Sequence, residues 1–110
     1  MIDLNHLKYI FGDNKNQIHE FLVFFVTSAQ ENIQQIDQDI QMKNIKSLMF
    51  HIHKLKGSAG NSGLIKLANL CQQLEESVGH QDWITLEKYN LEIKNCILNL
   101  QNEISKIFKS

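Results

Sequence analysis

Between Lys43 and Leu74 the chain carries no Asp or Glu, yet it holds Lys43, Lys46, Lys54, Lys56 and Lys66 together with His51 and His53. Inside that stretch His53, Lys56 and Gly57 fall at i, i+3 and i+4, so a helix would set them side by side on one face. Phe50 and Gly60 would share that face, turned away from an apolar stripe of Leu48, Ile52, Leu55 and Ala59. An imidazole titrating near pH 6.5 in water is largely neutral at pH 7, and its unprotonated nitrogen is nucleophilic. An ammonium one turn away stands beside any anion attached to the ring. A Gly in mid-helix costs about 1 kcal/mol relative to Ala, and a physical reason to keep one is close approach of another molecule to the backbone. A charge run is ordinarily no more than a solvated face. Here a nucleophile, a cation, a bare patch of backbone and a local absence of carboxylates coincide. That combination predicts a site for a phosphoryl group.

Something must hold the ring by accepting its second N–H. Glu75 is the candidate, as the first acid after the empty stretch and near the far end of the next helix. If the two helices run antiparallel, Glu75 comes level with His53.

The positioning elements all read as helices. Asp3 is placed to cap a short first helix carrying Leu4, Leu7, Tyr9 and Ile10, ended by Gly12-Asp13-Asn14. Ile18, Leu22, Phe25, Ala29, Ile33, Ile36 and Ile40 recur at steps of three and four, which predicts one long helix with a continuous buried stripe. Its start is apolar on several faces, through Phe21, Val23, Phe24 and Val26, so neighbours or a partner must cover it on more than one side. The chain turns around Met42 to Asn44 into the helix that bears His53, with Ile45, Leu48, Met49, Ile52, Leu55 and Ala59 inward. Gly60-Asn61-Ser62-Gly63 should end it, with Ser62 available to cap the fourth helix. That helix buries Leu64, Leu67, Ala68, Cys71, Leu74 and Val78 and stops at Gly79. Asp82 should cap the last helix, with Leu86, Ile93, Ile97, Leu100, Ile104 and Ile107 inward. The expected fold is all-α, an antiparallel up-and-down four-helix bundle with a short additional N-terminal helix, as a single domain over residues 1–110.

Composition narrows the function. At 110 residues, 43% hydrophobic and 21% charged, the chain is long and apolar enough to fold around its own core. All 11 basic residues are Lys, which counts against a nucleic-acid reader relying on bidentate guanidinium contacts. No apolar run is long enough to cross a bilayer and no secretory signal precedes the first helix, so neither a membrane nor an exported protein is expected. Cys71 and Cys96 are too few and too far apart for a disulfide framework or a CxxC site. They read as core residues of a reduced, cytoplasmic domain. The chain has no Gly-rich nucleotide loop and no obvious carboxylate cluster for Mg²⁺. It is expected to bind no cofactor or metal of its own.

His53-Lys54-Leu55-Lys56-Gly57-Ser58-Ala59-Gly60-Asn61, followed by Gly63, Leu67, Cys71, Leu74 and Glu75, resembles the histidine-containing phosphotransfer (HPt) domain family. The likeness covers essentially the whole chain, although the motif occupies only the third and fourth helices. The resemblance implies that His53 accepts a phosphoryl group from an aspartyl phosphate on one response-regulator receiver domain and passes it to an Asp on another. It further implies that Lys56 steadies the phosphoryl group, that Gly57 leaves room for the receiver, and that Glu75 accepts a hydrogen bond from the ring. On that reading the protein is a phosphoryl carrier rather than an enzyme, with Mg²⁺ and the acidic pocket supplied by the receiver. The expected docking surface combines apolar Phe50, Met49, Leu7, Ile10 and Phe11 with Lys46, Lys54 and Lys66, which would meet the receiver's acids. A monomer is expected, either free-standing or as the C-terminal piece of a hybrid sensor kinase.

Three other classes fit less well. A metal site would need converging ligands, but His51 and His53 point about 160° apart around a helix, and His6, His19 and His80 have no matching partners. A sensor-kinase dimerisation domain is a two-helix hairpin whose His is usually followed by an acid, whereas Lys54 follows here. A scaffold that docks receivers without carrying phosphate would not need His53, Lys56 and Gly57 intact.

Overall fold

The computed structural model describes residues 1–109. It contains five helices: α1 Leu4–Phe11, α2 Lys15–Met42, α3 Ile45–Asn61, α4 Ile65–Gly79 and α5 Trp83–Ile107. Among the described residues there is no strand. Helices α2 to α5 run up and down in sequence, each packed on its neighbours, with α5 closing against α2. At 28 and 25 residues, α2 and α5 are about 42 and 38 Å long and set the 44 Å long axis of the molecule. The shorter α3 and α4 pack together as a hairpin along part of that length.

Local chemistry sets the helix boundaries. Asp3, Asn14, Asn44 and Asp82 each accept a hydrogen bond from a backbone N–H in the first turn of the following helix. Gly12 ends α1 with φ +69°. Lys43 makes the α2–α3 turn in the left-handed region at φ 51°, where a non-glycine residue is uncommon. The turn between α3 and α4 departs from expectation. Ser62 does not cap α4 but donates its hydroxyl back to the Ser58 carbonyl at 2.8 Å, and α4 begins after Leu64 with no side-chain cap. Leu64 instead fills the core, fully buried. A buried leucine anchors the turn where a polar cap was anticipated.

The core follows the predicted stripes. Leu22, Ile36, Leu48, Ile52, Leu55, Ala59, Leu67, Cys71, Leu74, Leu86, Ile93 and Leu100 are all buried to within 1% of full. Ile45 and Ile107, expected inside, are 38% and 40% exposed because they lie in the first and last turns of their helices. In α1 only Leu7 is buried, while Tyr9 is 90% exposed. Leu7 therefore anchors α1 and is not available to a partner, which corrects its place in the expected docking surface. Gly63, at φ +74°, allows α1 to approach: a Cβ there would lie 2.8 Å from the His6 ring. His6 Nε2 in turn donates to the Asn61 carbonyl at 3.2 Å, so α1 is tied to the α3–α4 turn.

Burial at Cys71 pushes its thiol up to about 12, as expected for an inert core cysteine. Leu55 is 1% exposed on the inner face of the His-bearing helix. Leu55→Ala is expected to cost on the order of 2–5 kcal/mol, read as a lower urea midpoint at unchanged m-value.

Candidate phosphoryl-transfer site

The site begins with the stripe on α3 that the core leaves free. Burying Leu48, Ile52, Leu55 and Ala59 turns the opposite face outward, and Phe50, His53, Gly57 and Gly60 lie exposed along it. The His53 side chain is 74% exposed, which leaves its outer nitrogen open to solvent. Its Nδ1 lies 3.0 Å from Glu75 Oε2 on α4. Because a carboxylate can only accept, Nδ1 carries the proton and Nε2 keeps its lone pair. The antiparallel α3–α4 hairpin thus brings together the two residues that the sequence placed on successive helices.

Glu75 uses both oxygens. Its Oε1 accepts from Lys56 Nζ at 3.3 Å, and the same ammonium donates to Gln72 Oε1 at 2.8 Å. The His53 hydrogen bond holds the Glu75 carboxyl below its ordinary range; the Lys56 ammonium acts in the same direction, against partial burial. A charged Glu75 therefore faces His53 at neutral pH. Lys56 stands over the α3–α4 seam with its charge one helical turn from the ring.

Among the described residues nothing occupies the space over Gly57: a Cβ there would meet no atom within 4 Å. No packing within the domain requires glycine at this position. The intrinsic cost of a helical Gly is accepted without any return in the core.

The expected docking residues divide. Phe50 is 63% exposed, its ring nearly perpendicular to that of His51 at 5.1 Å, and Ile10 is 50% exposed. Lys46 and Lys54 are exposed on either side of His53 in sequence, and Lys46 shares the His53 stripe two turns earlier. Met49 and Phe11 are half-buried against the core, Phe11 with its ring 5.1 Å from Phe21. Lys66 is exposed but sits nine residues before Glu75, roughly 180° around α4, where its charge acts on Cys96 of α5. It lies outside the patch around His53.

Some neighbours of the site were not read from the sequence. Phe24 on α2 is 70% exposed and borders a groove of about 300 Å³ shared with Ile10, Phe21, Leu55 and Ser58. Its signal was present in the multi-face apolar start of α2, but which face stayed bare depended on where α1 and α3 packed. His51 is paired with Asp39 at 2.8 Å, with both side chains largely buried. That contact ties α3 to the end of α2 and gives His51 a structural role. His19 stacks on Phe108 at 4.6 Å. Among the described residues no group of three or more His, Cys, Asp or Glu is arranged to hold a metal ion.

The site is therefore an oriented, solvent-facing imidazole beside an ammonium and a bare glycine, carried on an all-α bundle. The Hpt domain family model matches residues 20–103, and the chain belongs to that family. Over 68 residues it is 35% identical to the phosphorelay intermediate protein YPD1 of Candida albicans, covering 62% of this chain and 35% of that protein. Over 76 residues it is 36% identical to the signal transduction histidine-protein kinase BarA of Shigella flexneri, covering 66% of this chain and 8% of the kinase. The chain therefore matches about a third of one curated relative and under a tenth of the other. In fold it is similar to histidine-containing phosphotransfer protein B of Pseudomonas aeruginosa PAO1, with TM-score 0.83 and 19% identity over 96% of this chain and 91% of that one. It is also similar to the HPT domain of a sensor hybrid histidine kinase from Shewanella, with TM-score 0.72 and 20% identity over 96% and 92%.

Because the Glu75 pKa is lowered on folding, its contribution to stability is complete above the ordinary value of 4.5 and is lost as pH falls through the lower folded value. Urea unfolding between pH 6 and pH 3 should show that loss beginning below about pH 4.5, with a shallower decline in Glu75→Gln. Gly57→Ala should raise stability by about 1 kcal/mol and slow phosphoryl exchange with a receiver, since its methyl meets only what docks there.

Proposed function

We propose that the protein relays phosphoryl groups between receiver domains, with His53 as the carrier. The observation that carries this is the His53–Glu75 hydrogen bond, which leaves Nε2 as the free nucleophile on a 74% exposed ring. The Nε2 lone pair attacks phosphorus in a receiver's aspartyl phosphate. An N–P bond forms as the P–O bond to Asp breaks, and the aspartate leaves as a carboxylate that needs no proton. The imidazole, still protonated on Nδ1, becomes cationic, and the Glu75 carboxylate balances that charge. Lys56 meets the phosphoryl oxygens. Reversing these steps passes the group to an Asp on a second receiver.

The domain contributes a positioned nucleophile and one cation, while the receiver supplies the acidic pocket and its Mg²⁺. This division makes the protein a carrier rather than an enzyme. Docking uses Phe50, Ile10 and the exposed edge of Phe24 as apolar contacts, with Lys46 and Lys54 set toward the receiver's acids. The relatives support two settings, a phosphorelay intermediate and a module of a hybrid sensor kinase, and in either the domain works as a monomer with its thiols reduced, in the cytoplasm. No helix among the described residues is long and apolar enough to cross a membrane.

The test is transfer from a phosphorylated receiver in the presence of Mg²⁺, with intact-mass measurement and peptide mapping of the product. Acid-labile phosphate should appear on His53 and be absent in His53→Gln at unchanged thermal stability. A domain that bound the receiver tightly yet accepted no phosphate would be a docking scaffold instead.

A further inference from the structure

Lys56 has two acceptors, and the shorter contact is not to Glu75 but to Gln72 Oε1, at 2.8 Å against 3.3 Å. The other end of that carboxamide is also engaged: Gln72 Nε2 donates to Glu76 Oε1, one turn further along α4, at 3.2 Å. Only one orientation of the amide satisfies both neighbours. Reversed, its NH₂ would face an ammonium and its carbonyl a carboxylate. Glu76 thus fixes the amide so that its oxygen points at Lys56. Gln72 itself makes no hydrogen bond to His53, so any influence on the ring must pass through the lysine.

We propose that Gln72 is a positioning residue for phosphoryl transfer, holding the Lys56 ammonium over the α3–α4 seam where a phosphoryl group on His53 would meet it. The proposal rests on the reading of His53 as the phosphorylated residue. A lysine has a long, flexible stem and a strongly hydrated head, so an unrestrained ammonium spends much of its time elsewhere. Beside the longer contact to the Glu75 carboxylate, an amide oxygen adds restraint without a second full negative charge to hold the ammonium against a competing phosphate. A carboxylate at this position, beside Glu75 and Glu76, would also repel the incoming group. The neutral acceptor keeps the cation in place and lets it go.

The experiment compares the wild-type 110-residue chain, Gln72→Met, Lys56→Ala and the double variant, with phosphoramidate as donor and phosphohistidine read by intact mass. Gln72→Met keeps side-chain length while removing both polar ends. It should slow uptake about three- to tenfold, a loss in the range found for directly coupled residues. The double variant should be no slower than Lys56→Ala alone. In parallel, the ¹⁵Nζ signal of Lys56 should be protected from exchange in the wild type and weakened in Gln72→Met, where Glu75 is the remaining acceptor, while Gln72→Glu, which restores an acceptor, should recover it. Multiplying losses in the double variant, or an unchanged Lys56 signal in Gln72→Met, would overturn the proposal. Failure of the wild type to take up any phosphoryl group on His53 would instead count against the carrier reading. The lysine signal would still decide the role of Gln72.

Discussion

The register between α3 and α4 is the constraint on which the site depends. His53 lies eight residues before the end of α3 and Glu75 ten residues after the start of α4, roughly 12 and 15 Å along antiparallel axes. They meet only because the turn between the helices is short and held in one place. Leu64, fully buried at its apex, allows little sliding without opening a cavity. Gly63 allows the left-handed turn and the approach of His6, which anchors α1 across the same end. A slip of one residue on either helix would rotate its side chains by about 100° and separate the ring from its acceptor. An interaction at the surface is thus specified by packing in the interior.

Much of the fold was legible because amphipathic periodicity reports which face a helix buries. The stripes of α2 to α5 follow from apolar residues at steps of three and four, and Asp3 and Asp82 cap helices as their types predict. The departures lie at ends and turns, where few residues share the decision. Ser62 has the right chemistry for a cap, yet its hydroxyl found the Ser58 carbonyl first. Leu7 and Ile10 look alike in a short amphipathic helix, and only the contact of α1 with α2 and the α3–α4 turn decides that Leu7 is the buried one.

The site was legible to a similar depth. His53, Lys56 and Gly57 are local on one helix, so their arrangement follows from helix geometry alone. Glu75 required one further step, an antiparallel neighbour. Gln72 and Asp39 were out of reach because their roles arise in pairs across helices, with Lys56 and His51 respectively. Polar residues in a helix sequence look equally solvated until tertiary structure chooses their partners. Lys66 shows the opposite error: its place in the acid-free stretch suggested the patch, but linear charge clustering ignores the helical period, which sets Lys66 roughly 180° around α4 from Glu75.

A carboxylate at position 75 has consequences that an amide there would not share. Accepting the Nδ1 proton requires only an oxygen, and either group would orient the ring. Once Nε2 carries a phosphoryl group, however, the ring is cationic, and a negative charge at 3.0 Å from Nδ1 stabilises that product relative to the free imidazole. The same charge repels the phosphoryl oxygens, so the gain needs a cation between them, and Lys56 at 3.3 Å from the other carboxylate oxygen is in place to provide it. The pair is only partly buried, with 28% of the Lys56 and 19% of the Glu75 side chain exposed, and the ammonium divides itself between Glu75 and Gln72. A carrier must take its cargo and also surrender it. On the proposed carrier role, shared contacts around the ring would let a phosphoryl group leave as well as arrive, whereas a deeply buried ion pair would favour one direction.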